Sequence, residues 1–470
     1  MELHFETISA LRARFDAGDL SPREITDLML ARIAQYDGAV KSYVTVMAAQ
    51  ARADADRATR ELQDGAPRGP LHGVPVAVKD LCYTAGVPTM GGCEVLREFV
   101  PGFDGTVVRR LREAGAVILG KLNLTEGAMA GYNPTFDVPE NPWRGGHWSG
   151  ASSSGSGAAT AAGLAYATLG SDTGGSIRHP AAACGTTGLK PTWGRVSRYG
   201  VLDLAPSLDH VGPLTRSSLD AGIVFDAIAG PDPDDPTTLP GPVEPAGVRP
   251  QLADDRPLAG VRIGFDPNYA AEDVAADFTT LVVQAVEVLA ALGATIVDVA
   301  MPPRLREYMA AWQVLCSAEA AHAHRGYYPS RAADYGPWFR EWLRRGAGYT
   351  ATEYAAAHAL RQACNGDMAM MMADIDMLAC PSTPGEAYPV TPEISYGPIP
   401  ASRDPWSSRF TVPADYAGLP ALVLPCGLSG RGLPLSFQLI GHRLTEARLV
   451  RVGCAFERDT NWSELTPPGF

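Results

Sequence analysis

Short apolar runs alternate with amphipathic stretches along most of the chain, and each run is closed by glycine, proline or a polar turn. Ser21-Pro22-Arg23-Glu24 reads as a capping box with proline at the first helical position. Ile25, Leu28, Met29 and Ile33 then supply an apolar helical face. A second, alanine-rich helix is expected over 47–63, closed by Asp64-Gly65. Residues 74–78 are β-branched and apolar, as in a buried strand. Asp104-Gly105-Thr106 opens a short helix through Arg112, Gly115 ends it, and 116–119 reads as another buried strand. Residues 155–163 have the small side chains of a helix that packs very close to its neighbours, and 164–169 form a short apolar strand. The second half repeats the alternation, with strands over 261–265 and 295–299 around a helix over 277–292. An aromatic-rich helical region follows over 305–374, then strands over 376–380, 421–425 and 435–440. Helix and strand in alternation predict an α/β layered fold. Residues 231–257, rich in proline and aspartate, read as an exposed crossover, because the second half supplies matching sheet elements. No internal repeat is evident.

Bulk properties narrow the function. The chain has 470 residues and a formal net charge of −13, which argues against a general nucleic-acid or anionic-membrane surface. No apolar run approaches the roughly 20 residues needed to span a bilayer. The first residues, Met1 to Glu6, lack a basic and an apolar signal region. The eight cysteines form no Cys-x-x-Cys pair and read as reduced thiols of a cytoplasmic protein.

Two serine-bearing loops flank the small-residue helix and its strand. One is Gly150-Ala151-Ser152-Ser153-Ser154-Gly155, the other Ser171-Asp172-Thr173-Gly174-Gly175-Ser176. A serine preceded by two glycines leaves bare backbone N–H groups facing whatever approaches its hydroxyl, as an oxyanion site requires. Taken alone, each loop is better explained by packing. Lys79 ends the apolar strand at 74–78; most lysines are solvated, but this position favours burial. The irregular stretch 141–148 reads as a rim beside the first loop. His72, His147, His179 and His210 lie near the loops, and nothing in the sequence pairs any of them with a serine. His322-x-His324 lacks the further ligands of a metal-dependent hydrolase, so no metal is expected. There is no Gly-x-Ser-x-Gly elbow, and Gly120-Lys121 lacks the rest of a phosphate-binding loop.

Together the two loops and the strand Leu71-His72-Gly73-Val74-Pro75-Val76-Ala77-Val78-Lys79-Asp80 resemble the amidase signature family. That family has a bridging serine in a GGSSGGS-like loop and a nucleophile in a later GSDTGGSIR-like loop. Ser152 and Ser176 fall at these positions with the family's separation of 24 residues. The sequence departs at Ala151, where glycine is usual, and at Ser154. Glu319-Ala320-Ala321-His322 also looks family-like. The resemblance implies one α/β/α domain over 1–470 around a large mixed sheet, with 305–374 a variable helical region on the substrate side. It further implies that the bridging serine follows a cis peptide.

A free lysine has a pKa of about 10.4, so it must be depressed by burial to act as a base. The resemblance implies that neutral Lys79 takes a proton from Ser152, which takes one from Ser176, the nucleophile. The N–H groups of Thr173, Gly174, Gly175 and Ser176 are implied to hold the oxyanion. Ser153, Ser154, Asp172 and Arg178 are implied supports, Arg178 having the alternative of binding a substrate carboxylate. The implied activity is hydrolysis of an amide carbon–nitrogen bond, with aryl esters and carbamates (a urethanase reaction) open to the same attack. No cofactor is implied. The expected partner is a small-molecule amide or carbamate, without nucleic acid or membrane, and a homodimer is left open. Gly194-Arg195-Val196-Ser197-Arg198-Tyr199-Gly200 strongly resembles the amidase subunit of a tRNA-dependent glutamine amidotransferase, which is the alternative reading. A non-catalytic protein on the same fold is the third. Tyr308, Trp312, Tyr327, Tyr328, Tyr335, Trp338, Phe339, Trp342, Tyr349 and Tyr354, with Met368 and Met370 to Met372, suit either helix packing or an adaptable apolar pocket for bulky substrates.

Overall fold

A computed structural model describes residues 2–252, 255–401 and 404–470. Its strands are β1 (Tyr43–Val46), β2 (Pro75–Lys79), β3 (Val117–Leu122), β4 (Ala167–Asp172), β5 (Thr187–Lys190), β6 (His210–Thr215), β7 (Arg262–Phe265), β8 (Thr295–Asp298), β9 (Met377–Pro381), β10 (Ala421–Leu428) and β11 (Pro434–Gly441). They form one mixed eleven-stranded sheet in the order β1-β3-β2-β4-β6-β5-β10-β11-β9-β7-β8. Helices pack against this sheet, which is the expected α/β class. The first six strands fill one side of the sheet and the last five the other, and the two halves join where β5 pairs with β10.

The topology decides where the chemistry gathers. β2 lies between β3 and β4 and runs parallel to both. Parallel neighbours bring their carboxyl ends to the same edge, where loops of α/β sheets carry functional groups. Lys79 is the last residue of β2, and Asp172 is the last of β4. The site therefore assembles at one edge of the sheet, over its first half.

Most predicted elements are present with shifted ends. The Ser21 capping box forms, with the Glu24 carboxylate accepting from the Ser21 N–H at 2.8 Å. Ile25, Met29 and Ile33 are buried; Leu28 is only partly covered. The small-residue helix runs from Ser154 to Ala161 with every residue buried. A side chain at Gly155 would place its Cβ 2.5 Å from the Ser42 carbonyl oxygen, which accounts for glycine there. The strand expected over 164–169 lies three residues later, so Ser171 and Asp172 belong to β4 rather than to a loop. β6 escapes prediction because Gly212 and Pro213 read as turn residues. Gly212 is required there, since a Cβ would come within 2.2 Å of the Leu189 carbonyl oxygen.

The 305–374 region is three helices, Leu305–Ala323, Pro337–Gly348 and Ala351–Met371. The crossover over 231–257 is largely exposed, and its residues 253 and 254 lie outside those described. It is pinned by two aspartates. Thr106 and Ser197 donate their hydroxyls to Asp232, each at 2.5 Å, and the Arg198 N–H donates to Asp235 at 2.8 Å. The Gly194–Gly200 motif thus clamps the start of the crossover. Among the described residues, no helix is long and apolar enough to cross a membrane.

Candidate active site

Lys79 is fully buried, and its Nζ meets three serine hydroxyls: Ser152 at 2.6 Å, Ser153 at 2.9 Å and Ser171 at 2.9 Å. Burial pushes its pKa down to about 7, against weaker opposing contributions from Cys82, Asp172 and Asp209. A lysine held there titrates near neutrality and can accept a proton. The Ala151–Ser152 peptide is cis, as the resemblance implies, with alanine in the glycine position. Gly150 precedes it at φ 89°, where a Cβ would strike Pro180 at 2.2 Å. Ser153 clips the first loop to β4, donating to the Ser171 carbonyl oxygen and accepting from the Ser171 N–H, both at 3.2 Å. Ser154 accepts from the Tyr132 hydroxyl at 2.8 Å. The Ser153 N–H donates to the Ser176 carbonyl oxygen at 3.3 Å, tying the two serine loops together. The Ser152 and Ser176 hydroxyls are not hydrogen-bonded to each other in this structure.

The second loop wraps around Asp172. Its carboxylate accepts from the N–H groups of Gly175 at 2.5 Å, Ile177 at 3.0 Å and Arg178 at 3.3 Å. The Arg178 guanidinium adds a two-pronged contact, Nε and Nη2 each at 3.0 Å. Burial opposes charge on Asp172, but Arg178 prevails and holds the carboxyl well below the usual carboxylate range. Arg178 also reaches Asp415 at 2.5 Å and the Thr411 carbonyl oxygen at 2.9 Å. Burial drives Asp415 the opposite way, well above its ordinary value. Arg178 is wholly enclosed by these partners and does not line the cleft, so the alternative of binding a substrate carboxylate is corrected.

The loop's carbonyls are turned away from the serine. Trp312 Nε1 donates to the Thr173 oxygen at 2.9 Å, Thr411 Oγ1 to the Gly174 oxygen at 2.7 Å, and the His179 N–H to the Gly175 oxygen at 2.6 Å. Among the described residues, the N–H groups of Thr173, Gly174 and Ser176 have no protein acceptor. Such a concavity of unused donors suits developing negative charge. Gly175 departs from the expected set of four donors, because its N–H is already held by Asp172. Glycine is nonetheless needed at both middle positions: a Cβ on Gly174 would meet the Trp312 ring at 2.5 Å, and one on Gly175 the His179 ring at 2.5 Å.

Ser176 opens into a cleft of about 700 Å³ that Thr173 and Gly174 also line, while Ser152 and Lys79 are buried behind it. Its walls include Tyr132, Trp148, Trp312, Trp338 and Tyr388. Trp148 stacks on Tyr388 with centroids 5.2 Å apart. The expected rim at 141–148 is present and is zipped to a later loop, the Trp148 N–H donating to the Tyr388 oxygen at 2.8 Å and the Val390 N–H to the Gly146 oxygen at 2.9 Å. Among the described residues, no lysine or arginine lines the cleft; its one carboxylate, Glu386, pairs with Arg431.

Of the ten aromatics singled out between 308 and 354, Trp312 and Trp338 reach this cleft. Tyr308 and Phe339 are core. Met368 and Met372 are buried away from the cleft and Met370 is exposed, so none of these methionines forms its wall. His210 bonds the Asp172 carbonyl oxygen and His72 the Ala58 carbonyl oxygen, each at 3.0 Å, which makes both structural. His324 Nδ1 meets the Tyr335 hydroxyl at 2.9 Å. Sequence reasoning missed Ser171, Trp312 as the cap on Gly174, and Asp209. Asp209 accepts the Thr173 hydroxyl at 2.6 Å and the N–H groups of Leu204 and Ala205 at 2.9 and 3.0 Å. Ser171 lies within the quoted motif and was open to recognition; Asp209 had no local signal.

A mixed sheet that delivers one buried lysine to a pair of serine loops defines a class of protein, and the chain belongs to the Amidase family, whose sequence model matches residues 24–450. More particularly, it is 43% identical over 460 residues to a Mycobacterium tuberculosis protein named "Putative amidase AmiD", with 96% of this chain and 93% of that protein covered. It is 38% identical over 495 residues to a glutamyl-tRNA(Gln) amidotransferase subunit of Chloroflexus aurantiacus, with 99% of each covered. The solved native peptide amidase from Stenotrophomonas maltophilia superposes with a TM-score of 0.86 at 32% identity, covering 99% of this chain and 98% of that one.

Proposed function

We propose that the protein is a serine amidase that hydrolyses the carbon–nitrogen bond of a small-molecule amide through an acyl-enzyme on Ser176. The observation that carries this reading is the fully buried Lys79 amine 2.6 Å from the Ser152 hydroxyl, where burial pushes its pKa down to about 7. Neutral Lys79 draws the Ser152 proton, Ser152 draws that of Ser176, and the Ser176 oxygen attacks the carbonyl carbon. The Ser152–Ser176 hydrogen bond forms around substrate, as catalytic hydrogen bonds often tighten only in the complex. The N–H groups of Thr173, Gly174 and Ser176 receive the oxyanion. The relay returns the proton to the departing nitrogen as the carbon–nitrogen bond breaks. Water then attacks the acyl ester, giving up its proton along the same path, and the acid leaves. Ser153, Ser171, Asp172 and Arg178 hold this geometry without reacting.

Ser176→Ala should lower kcat by at least about a thousandfold, and intact-mass spectrometry during turnover should show an acyl adduct in the wild type alone. Retention of most turnover by a folded Ser176→Ala protein would reject the nucleophile. Carbamates and aryl esters offer the same carbonyl to the same attack and belong in the substrate panel.

A second reading, the amidase component of a glutamine amidotransferase, is favoured by the resemblance of Gly194–Gly200 and by the Chloroflexus relative. Against it, the cleft offers no lysine or arginine among the described residues for the carboxylate of free glutamine. Turnover of simple amides by the purified chain supports the first reading; activity on glutamine only, with a partner, supports the second. We read the whole chain as one catalytic domain, since a single sheet draws on both halves. The eight free cysteines, seven of them buried, support a cytoplasmic setting.

A further inference from the structure

We propose that a second cavity, beside the catalytic cleft, is a binding site for a small organic ammonium ion. It has a volume of about 230 Å³. That is roughly the space of seven or eight waters, enough for one ring or a few carbons and a charged head. Ala128 lines both this cavity and the cleft.

The lining combines three aromatic side chains, Tyr83, Phe99 and Tyr327, with aliphatic walls and one carboxylate, Asp203. Tyr83 and Phe99 meet edge to face with centroids 5.2 Å apart. Aromatic faces with a carboxylate at the rim attract an organic cation twice over, through the ring quadrupoles and through charge. Asp203 is exposed at the mouth and has no hydrogen bond or ion pair within the described chain. Partial burial of the carboxyl, with like charge from Asp209, Glu319 and Asp235 and against Arg198, pushes it up to about 6, so it is still mostly ionised at neutral pH. The Arg198 guanidinium is held elsewhere: it bonds the Pro206 carbonyl oxygen and the Thr237 hydroxyl, and it lies 5.0 Å from the Trp193 ring centre. Among the described residues, no lysine or arginine lines the cavity. His324 does, but burial pushes its pKa down to about 4, so it brings no positive charge at neutral pH.

The chemistry of the lining selects among ligands. A divalent cation would want several oxygen ligands, and one carboxylate among hydrocarbon walls does not supply them. A neutral aromatic ligand would leave Asp203 unmatched. An alkyl- or arylalkylammonium ion satisfies both parts.

The test uses benzylammonium chloride, with benzyl alcohol as its uncharged counterpart, titrated calorimetrically into the full-length protein. The wild type should bind benzylammonium at least about tenfold more tightly than benzyl alcohol. Asp203→Asn should remove that preference while leaving the melting temperature and the amidase activity without added amine unchanged. Tyr327→Leu should weaken benzylammonium about threefold or more. Benzylammonium binding that survives Asp203→Asn belongs to the catalytic cleft and overturns the assignment. So do equal affinities for the two probes, or no heat from benzylammonium at millimolar concentration.

Discussion

Lys79 owes its chemistry to its surroundings. In water a lysine holds its proton far above neutrality; enclosed at the end of β2 it releases it at about 7. The neutral base therefore accumulates as pH rises through about 7. On an amide that does not itself ionise, kcat/KM should climb up to about tenfold per pH unit below this value and level off above it. A flat profile between pH 5.5 and 8.5 would count against Lys79 as the base. Stability follows the same linkage: between about pH 7 and the unfolded lysine's 10.5, the unfolded chain binds a proton that the folded chain does not, so this residue's contribution improves as pH rises through that window. Asp209 acts at one remove, through the Thr173 hydroxyl. Asp209→Ala should lower kcat about tenfold or more with little change in KM, because the N–H groups proposed to receive the oxyanion lose their aim. Asp209→Asn keeps an acceptor and should recover part of the loss; steady-state kinetics on both variants decides it.

At the scale of elements, the second serine loop is a short connection between β4 and the helix Arg178–Cys184, and it is rigid because it is wrapped on a buried ion pair. Arg178 and Asp172 are both fully enclosed, and Asp415 shares the guanidinium. Removing one member of such a pair leaves an uncompensated buried charge. Arg178→Met should therefore destabilise the fold by about 3–5 kcal/mol, read from urea unfolding. A loss below about 1 kcal/mol would mean that the cluster is less tightly interdependent than its geometry implies.

At the scale of the molecule, segments far apart in the chain build one cleft. Trp148 comes from the rim, Trp312 and Trp338 from the helical region, and Tyr388 from the loop after β9. This apolar wall, uncharged apart from the paired Glu386, favours a bulky neutral group. An anilide should exceed acetamide in kcat/KM by about one to two decades after correction for intrinsic reactivity, the worth of burying one ring at about 1.5–3 kcal/mol. Equal values, measured on one preparation, would leave these aromatics as packing alone.

Lys79, Ser152 and Ser176 could be proposed as the reacting groups from the sequence because each sits in a local motif, and the β2 strand announced itself by an unbroken apolar run. The capping box, the small-residue helix and most strands were legible for the same reason: their signals span a few neighbouring residues. What the sequence could not carry were pairings made across the chain. Asp209 reaches Thr173 over 36 residues, Trp312 reaches it over 139, and Asp415 reaches Arg178 over 237. β6 was hidden because Gly212 is dictated by the closeness of β5 rather than by a turn, and Pro213 beside it strengthened the turn reading. The tying of the Gly175 N–H to Asp172 and the enclosure of Arg178 were likewise decided by tertiary structure. So was the sorting of the middle aromatics, with Trp312 and Trp338 at the cleft, Tyr327 at the second cavity, and Tyr308 and Phe339 in the core. A hydroxyl or a ring has the same identity in either place, and only the folded neighbours determine whether it meets protein or substrate.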